Sequence, residues 1–248
     1  MWTPQILDKR SSYDDLIAGK IPALIIPKVL SKFDCTSISS KILNMSKING
    51  ASTKFGTPLS SHIYEKSKYF SNAQESNKIL KNLFFEHISP LILMQQKISE
   101  LFKKKIYTAT ENNMFYSDAI IRIHGNGDSV HLHRDNSNFE MSEFNVSQFK
   151  NQLSVILYLQ SPDAGGELTI FHKMWSKKDE IMREPEFGYS SDLIKGICQT
   201  KIRPIAGNMV ILNPKFYHQI ESISGLKSRI TLTFFFGEST KNCFYSWT

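Results

Sequence analysis

Three side chains have the types and spacing to hold a metal ion: His133, Asp135 and, far downstream, His218. Two imidazoles and one carboxylate are the set that holds non-haem Fe(II) on one face and leaves the opposite face open for O2 and substrate. On a strand, alternate side chains share a face, so His133 and Asp135 would project together as cis ligands. His218 follows the turn-rich Asn213-Pro214-Lys215 and precedes a strand, so a neighbouring strand end is its natural place. His131 shares the face of His133 and makes a competing pair. An isolated H-x-D is a common accident, so the weight falls on what accompanies it.

What accompanies it is Arg229, eleven residues after His218, with Thr231 two residues further along the same strand face. A guanidinium and a hydroxyl make a good clamp for a carboxylate, because Arg forms bidentate charge-assisted bonds. Arg229 enters an apolar strand (Ile230, Leu232, Phe234, Phe235, Phe236), where an unpaired charge is costly. A small dicarboxylate would pair it, and so would a protein carboxylate.

The elements that must position these residues fall into two groups. Residues 22–30 read as a strand bounded by prolines, 31–45 as a helix with Ser31 as its cap, and 50–72 as a loop or edge. Residues 75–105 have helical period and break near Ser89-Pro90. From Ser117 onward the pattern is strands: 119–123, 130–135, 152–160, 168–172, 209–213 and 229–236. Glycine-rich turns lie between them. The polar stretch 173–200 has no period and reads as a functional loop or lid insertion. Helices first and antiparallel strands after predict an α+β fold, a double-sheet jelly roll on N-terminal helices. A single domain over 1–248 is expected, with 1–114 mainly helical and 115–248 the jelly-roll core.

Composition narrows the class further. The chain has 248 residues and a net charge of +7, from 30 basic and 23 acidic side chains. That excess favours nucleic acid or small anions, but the lysines are scattered. Lys103-Lys104-Lys105, the one dense cluster, reads as a solvated face. Cys35, Cys198 and Cys243 are too far apart for a zinc ribbon and odd in number for a disulfide framework. Met1-Trp2-Thr3-Pro4 shows no basic stretch leading into an apolar run, so no secretory signal is expected, and no apolar run reaches about 18 residues. The expectation is a cytoplasmic protein with no membrane span.

Together these segments resemble the Fe(II)- and 2-oxoglutarate-dependent dioxygenases. The resemblance rests on His-Arg-Asp at 133–135, Gly-Gly-Glu-Leu at 165–168, Pro-Ile-Ala-Gly-Asn-Met-Val-Ile-Leu at 204–212, His218, and Ser-Arg-Ile-Thr-Leu at 228–232. It covers roughly residues 115–237. It implies a double-stranded β-helix, with Fe(II) on His133, Asp135 and His218, 2-oxoglutarate on Arg229 and Thr231, and O2 as oxidant. Many members carry a tyrosine on the strand before the H-x-D, and His124 stands nearest that place. The sequence is similar to free-standing oxygenases of small molecules and free amino acids, a group related to carrier-independent halogenases. In those halogenases a small residue replaces the carboxylate ligand. Asp135 is present here, so the resemblance implies hydroxylation, or desaturation or ring closure, over halogenation. Nucleic-acid demethylases carry a second arginine six residues after the first. Phe235 stands there, so a nucleic-acid partner is not expected.

Candidate substrate contacts are His131 and Arg134 beside the ligands, Arg183 in the polar stretch, and Trp247. A solvated Arg183 and a core-packed Trp175 or Trp247 are the plain alternatives. His62, His87 and His172 read as structural. Three functions remain side by side: a small-molecule hydroxylase, a protein or peptide side-chain hydroxylase, and a non-catalytic jelly-roll binding module. Oligomeric state leaves no signal in the sequence.

Overall fold

The computed structural model describes residues 2–6, 13–51, 53–85, 89–239 and 242–248. His87, read above as structural, lies outside them. Three long helices, α1 (Lys32–Ile48), α2 (Lys66–Leu83) and α3 (Pro90–Phe102), precede most of the strands. The main strands are β1 (Ala23–Ile26), β2 (Ile120–His124), β3 (Val130–His133), β4 (Lys150–Gln160) and β5 (Leu168–Met174). They continue with β6 (Gln199–Ile202), β7 (Met209–Leu212), β8 (Phe216–Ile220), β9 (Arg229–Glu238) and β10 (Phe244–Trp247).

The larger sheet runs β1-β7-β4-β9, and the far edge of β9 is shared. Its first half, Arg229–Thr233, pairs with β2, and its second half, Phe235–Glu238, pairs with β10. The smaller sheet runs β6-β5-β8-β3. All of these pairings are antiparallel. β4 is buried at every position from 152 to 159, because it carries side chains into layers on both faces. On one face, Val155, Leu157, Ile211, Leu232 and Phe234 pack with Ile38, Ile42, Leu80 and Met94 of the helices. On the other, Ile156, Tyr158, Val210 and Leu212 meet Leu168, Ile170, Phe216 and Ile220 of the smaller sheet. The metal-site residues belong to this second, inter-sheet layer.

Helix ends follow the local chemistry. The Ser31 hydroxyl accepts from the Asp34 amide at 3.1 Å, and Ser89 caps α3 with Pro90 at its first position. Two expectations change. α2 begins at Lys66, inside the stretch 50–72 read as loop. Its buried stripe starts with Tyr69, Phe70 and Ala73, whose aromatic and small residues hide the helical period. The N-terminal half also adds strands beyond the expected β1: Gln5–Ile6, Lys54–Phe55 and Ile106–Thr108 extend the larger sheet.

The stretch 173–200 forms short 3-10 turns and lies against the outer face of the smaller sheet. There Trp175, Tyr189, Leu193 and Ile194 cover Leu132, Phe171 and Tyr217. Among the described residues no helix is long and apolar enough to cross a membrane.

Candidate metal centre

β3 ends at His133, and the chain leaves the sheet through Arg134 and Asp135. The Asp135 amide donates to the Pro214 carbonyl at 2.9 Å, which ties it to the turn that leads into β8. His218 on β8 stands directly opposite His133. One nitrogen or oxygen atom from each of His133, Asp135 and His218 lies within 4.8 Å of the others. The His218 Nε2 is 3.5 Å from Asp135 Oδ2, and the two imidazole centroids are 4.2 Å apart.

Both imidazoles are oriented by backbone. His133 Nδ1 bonds the His131 carbonyl and His218 Nδ1 bonds the Phe216 carbonyl, each at 2.8 Å. A carbonyl only accepts, so each Nδ1 carries a proton and each Nε2 is turned to the centre. Burial, reinforced by the His218 charge, lowers the His133 pKa to about 4, so the ring is neutral at physiological pH. Burial alone would raise the Asp135 pKa. The His218 hydrogen bond, with His133 and Arg122 nearby, outweighs that and keeps the carboxyl below its usual range. Two imidazoles and a carboxylate suit Fe(II).

A second cluster lies along the inner face of the larger sheet. Arg229 is buried, and its guanidinium sits 5.2 Å from the Tyr158 ring centroid. No carboxylate among the described residues pairs with it. Across the sheet His124 faces Arg229, and Thr231 sits between Arg122 on β2 and Tyr158 on β4. Arg229 Nε, the Tyr158 hydroxyl and His124 Nδ1 are all buried without a hydrogen-bond partner. Burial and the two arginines lower the His124 pKa to about 4, so it too is neutral. Gly166 leaves the room: a Cβ there would stand 3.0 Å from Arg229 Cδ, at a φ of +70° that favours glycine. Unpartnered polar atoms around one buried cation are the arrangement an anionic co-substrate would complete.

The family described as "Carrier-protein-independent halogenase WelO5" matches residues 1–248. The chain belongs to this family. Its relatives include "Leucinostatins biosynthesis cluster protein S" of Purpureocillium lilacinum, 26% identical over 183 residues, 69% of this chain and 73% of that protein. Among solved structures, the N-substituted L-amino acid dioxygenase of Burkholderia ambifaria superposes with a TM-score of 0.67 at 15% identity. That superposition covers 95% of this chain and 89% of that one. HygX of Streptomyces hygroscopicus, solved with nickel and 2-oxoglutarate bound, gives 0.57 at 11% identity over 93% and 88%. The WelO5-family chain thus shares the fold of these two oxygenase structures and has a facial-triad-like cluster in place.

The remaining sequence candidates of this WelO5-family site are placed unevenly. His131 is exposed and outside the ligand cluster. A bulge makes three steps on β3 match two on β8, so Val130 turns inward, Leu132 outward, and the shared face of His131 and His133 is lost. Arg134 is corrected as a substrate contact. Its side chain is fully buried, ion-paired to Glu140 at 3.0 Å and Glu180 at 3.1 Å, and stacked 4.6 Å from the Trp175 ring. One residue from Asp135, it points the other way and anchors the 173–200 stretch. Arg183, half exposed, pairs with the same two glutamates at 3.5 and 3.4 Å.

Trp247 is buried, bonds Ser137 Oγ at 3.2 Å, and lines a cavity of about 90 Å3 that includes Asp135, Arg122, Ser154 and Thr233. His62 bonds the Pro58 carbonyl, and His172 stacks on Trp2, both structural roles. Three residues went unread in the sequence. Arg122 interrupts the run Ile120-Ile121-Arg122-Ile123, the same signal that singled out Arg229. Tyr158 and Phe187 carry no such signal, yet Phe187 reaches within 5.3 Å of the His133 ring. A cleft of about 970 Å3 between α2, α3 and residues 113–115 includes none of the metal-site residues.

Proposed function

We propose that the protein is an Fe(II)- and 2-oxoglutarate-dependent hydroxylase of a small molecule, with free amino acids and related metabolites the first class to test. The observation that carries the reading is Asp135, a carboxylate within reach of both imidazoles in a family whose description names a halogenase. A carboxylate occupies the position that halide would need, so the C–H bond gains oxygen. His133, Asp135 and His218 would hold the metal, and Arg229 with Thr231, His124 and Tyr158 would hold 2-oxoglutarate. When bound, the metal supplies O2 activation coupled to decarboxylation of 2-oxoglutarate. The balance is substrate C–H, O2 and 2-oxoglutarate in, and C–OH, succinate and CO2 out.

The chain's own share is orientation and exclusion. Backbone carbonyls fix both imidazoles, the buried Arg229 favours a dicarboxylate, and Phe187 and Trp247 border the space beside the ligands. From β2 to β9 the strands alternate between the two sheets except at the adjacent pair β5 and β6, which supports the double-stranded β-helix reading. An amino-acid substrate draws support from the N-substituted L-amino acid dioxygenase among the structural neighbours.

The test is succinate release with Fe(II), 2-oxoglutarate and O2 in a screen of amino acids and N-substituted amino acids, followed by mass spectrometry. A product heavier by one oxygen is the expected result. A halogenated product in chloride buffer, or no 2-oxoglutarate consumption with any member, would sink the reading.

A further inference from the structure

Arg122 has no role in the reading above. It lies two residues before His124 on β2 and opposite Thr231 on β9. Its neighbours Ile121 and Ile123 pack toward the helices, while Arg122 lines the inner cavity with Asp135, Ser154 and Thr233. Among the described residues no ion pair or hydrogen bond holds its guanidinium. Asp135 attracts it, while Arg229 and Lys54, opposite it on the neighbouring strand, repel it. Two unpaired arginines on adjacent strands of an inter-sheet layer are costly without an anion for each.

We propose that Arg122 is a second carboxylate-binding residue of this site, separate from the Arg229 subsite and adjacent to Asp135. The inference rests on the 2-oxoglutarate-dependent reading. Two carboxylates are available to it. Two strand residues rise about 6.6 Å. A five-carbon dicarboxylate anchored at Arg229 therefore brings its keto-acid end level with Thr231 and Arg122. The acid group of an amino-acid substrate seated against Ser154 and Trp247 is the other source. Either way Arg122 makes a charge-assisted bond that neutral donors in the cavity cannot replace.

The experiment uses the full chain loaded with redox-inert Mn(II) and titrated calorimetrically with 2-oxoglutarate and with 2-oxovalerate, which lacks the distal carboxylate. Parent, Arg122→Met, Arg122→Lys and Arg229→Met are compared. The KM for the most active amino acid of the screen is measured alongside with Fe(II). In Arg122→Met one constant should weaken about ten- to hundredfold, the effect of losing a charged hydrogen bond. Arg122→Lys should recover part of it.

Weaker binding of both 2-oxoglutarate and 2-oxovalerate assigns Arg122 to the keto-acid end. A raised amino-acid KM alone assigns it to the substrate. Arg229→Met, in contrast, should lose the preference for 2-oxoglutarate over 2-oxovalerate, and Arg122→Met should keep it. Both constants within about twofold of the parent, well under the 1.4 kcal/mol of a tenfold change, overturn the inference. Arg122→Lys is read by the same constants if Arg122→Met does not fold. A parent that binds no 2-oxoglutarate overturns the functional reading itself, an outcome distinct from an unaffected variant.

Discussion

Asp135 and His133 reach the same centre by different means. His133 comes from the sheet, with its ring tied back to its own strand. Asp135 comes from the exit turn, tied through its amide to Pro214. Asp135→Gly is expected to weaken metal binding by more than the roughly 10–100-fold that loss of an outer partner costs. It should also abolish hydroxylation. Metal titration by calorimetry and product analysis check it, and a glycine variant that hydroxylates like the parent would show that Asp135 is not a ligand. Arg134 carries the residue-scale lesson in reverse. Next to two ligands in sequence, it faces away from them because adjacent residues of an extended chain face opposite sides. Its charge is satisfied by Glu140 and Glu180.

The 173–200 stretch packs on the outer face of the smaller sheet and brings Phe187 within 5.3 Å of the His133 ring. Glu180 is its hub: one carboxylate oxygen accepts from Trp175 Nε1 and the Tyr189 hydroxyl, each at 2.6 Å, and from Arg134 at 3.1 Å. Those contacts pull its pKa down against the effect of burial. Glu180→Gln turns an acceptor for three donors into a weaker, neutral one. We expect a loss of about 1–3 kcal/mol in stability, read from chemical denaturation. A stability equal to the parent's would mean that the hub is not needed.

Gly188 places the tip of the same stretch. It has a φ of +92°, and a Cβ would sit 2.5 Å from the Leu132 carbonyl oxygen, which also accepts from the Tyr189 amide. Gly188→Ala is therefore expected to lift Phe187 from His133 and cost about 1–3 kcal/mol of strain. A raised KM for substrate is the signature, and an unchanged KM would show that the tip does not border the substrate.

At the scale of the whole molecule, the inter-sheet layer keeps two imidazoles neutral. His124 and His133 have pKa values lowered to about 4, chiefly by burial, against about 6.5 in an unfolded chain. Between those values the unfolded state binds more protons than the folded one. The stability associated with the neutral rings is therefore fully present above about pH 6.5 and is lost as pH falls through about 4. The melting temperature of the metal-free protein should fall across that window, and His124→Asn should flatten the slope. A profile for His124→Asn parallel to the parent's would remove His124 from the account. Added metal should raise the melting temperature most at neutral pH, where His133 is free to ligate.

The residue types needed for the chemistry were legible in the chain itself. His133, Asp135, His218 and Arg229 stand out because a charge or imidazole in an apolar strand demands a partner, and alternation says which neighbours share its face. Strands with continuous apolar runs, such as β4 and β7, were legible for the same reason. What only the tertiary structure decided is which demands are met within the protein. It spends Arg134 on two glutamates, leaves Arg122 and Arg229 without an ion-paired carboxylate among the described residues, and brings Tyr158 from a third strand to the second of them. A bulge in β3 separates His131 from His133, an event of strand pairing that alternation cannot foresee. The stretch 173–200 has no period because its order comes from Glu180 and from the outer face of the smaller sheet, both set by contacts distant in sequence. Local pattern determines which side chains need a partner, and only the packing of distant segments determines whether the protein or a ligand supplies it.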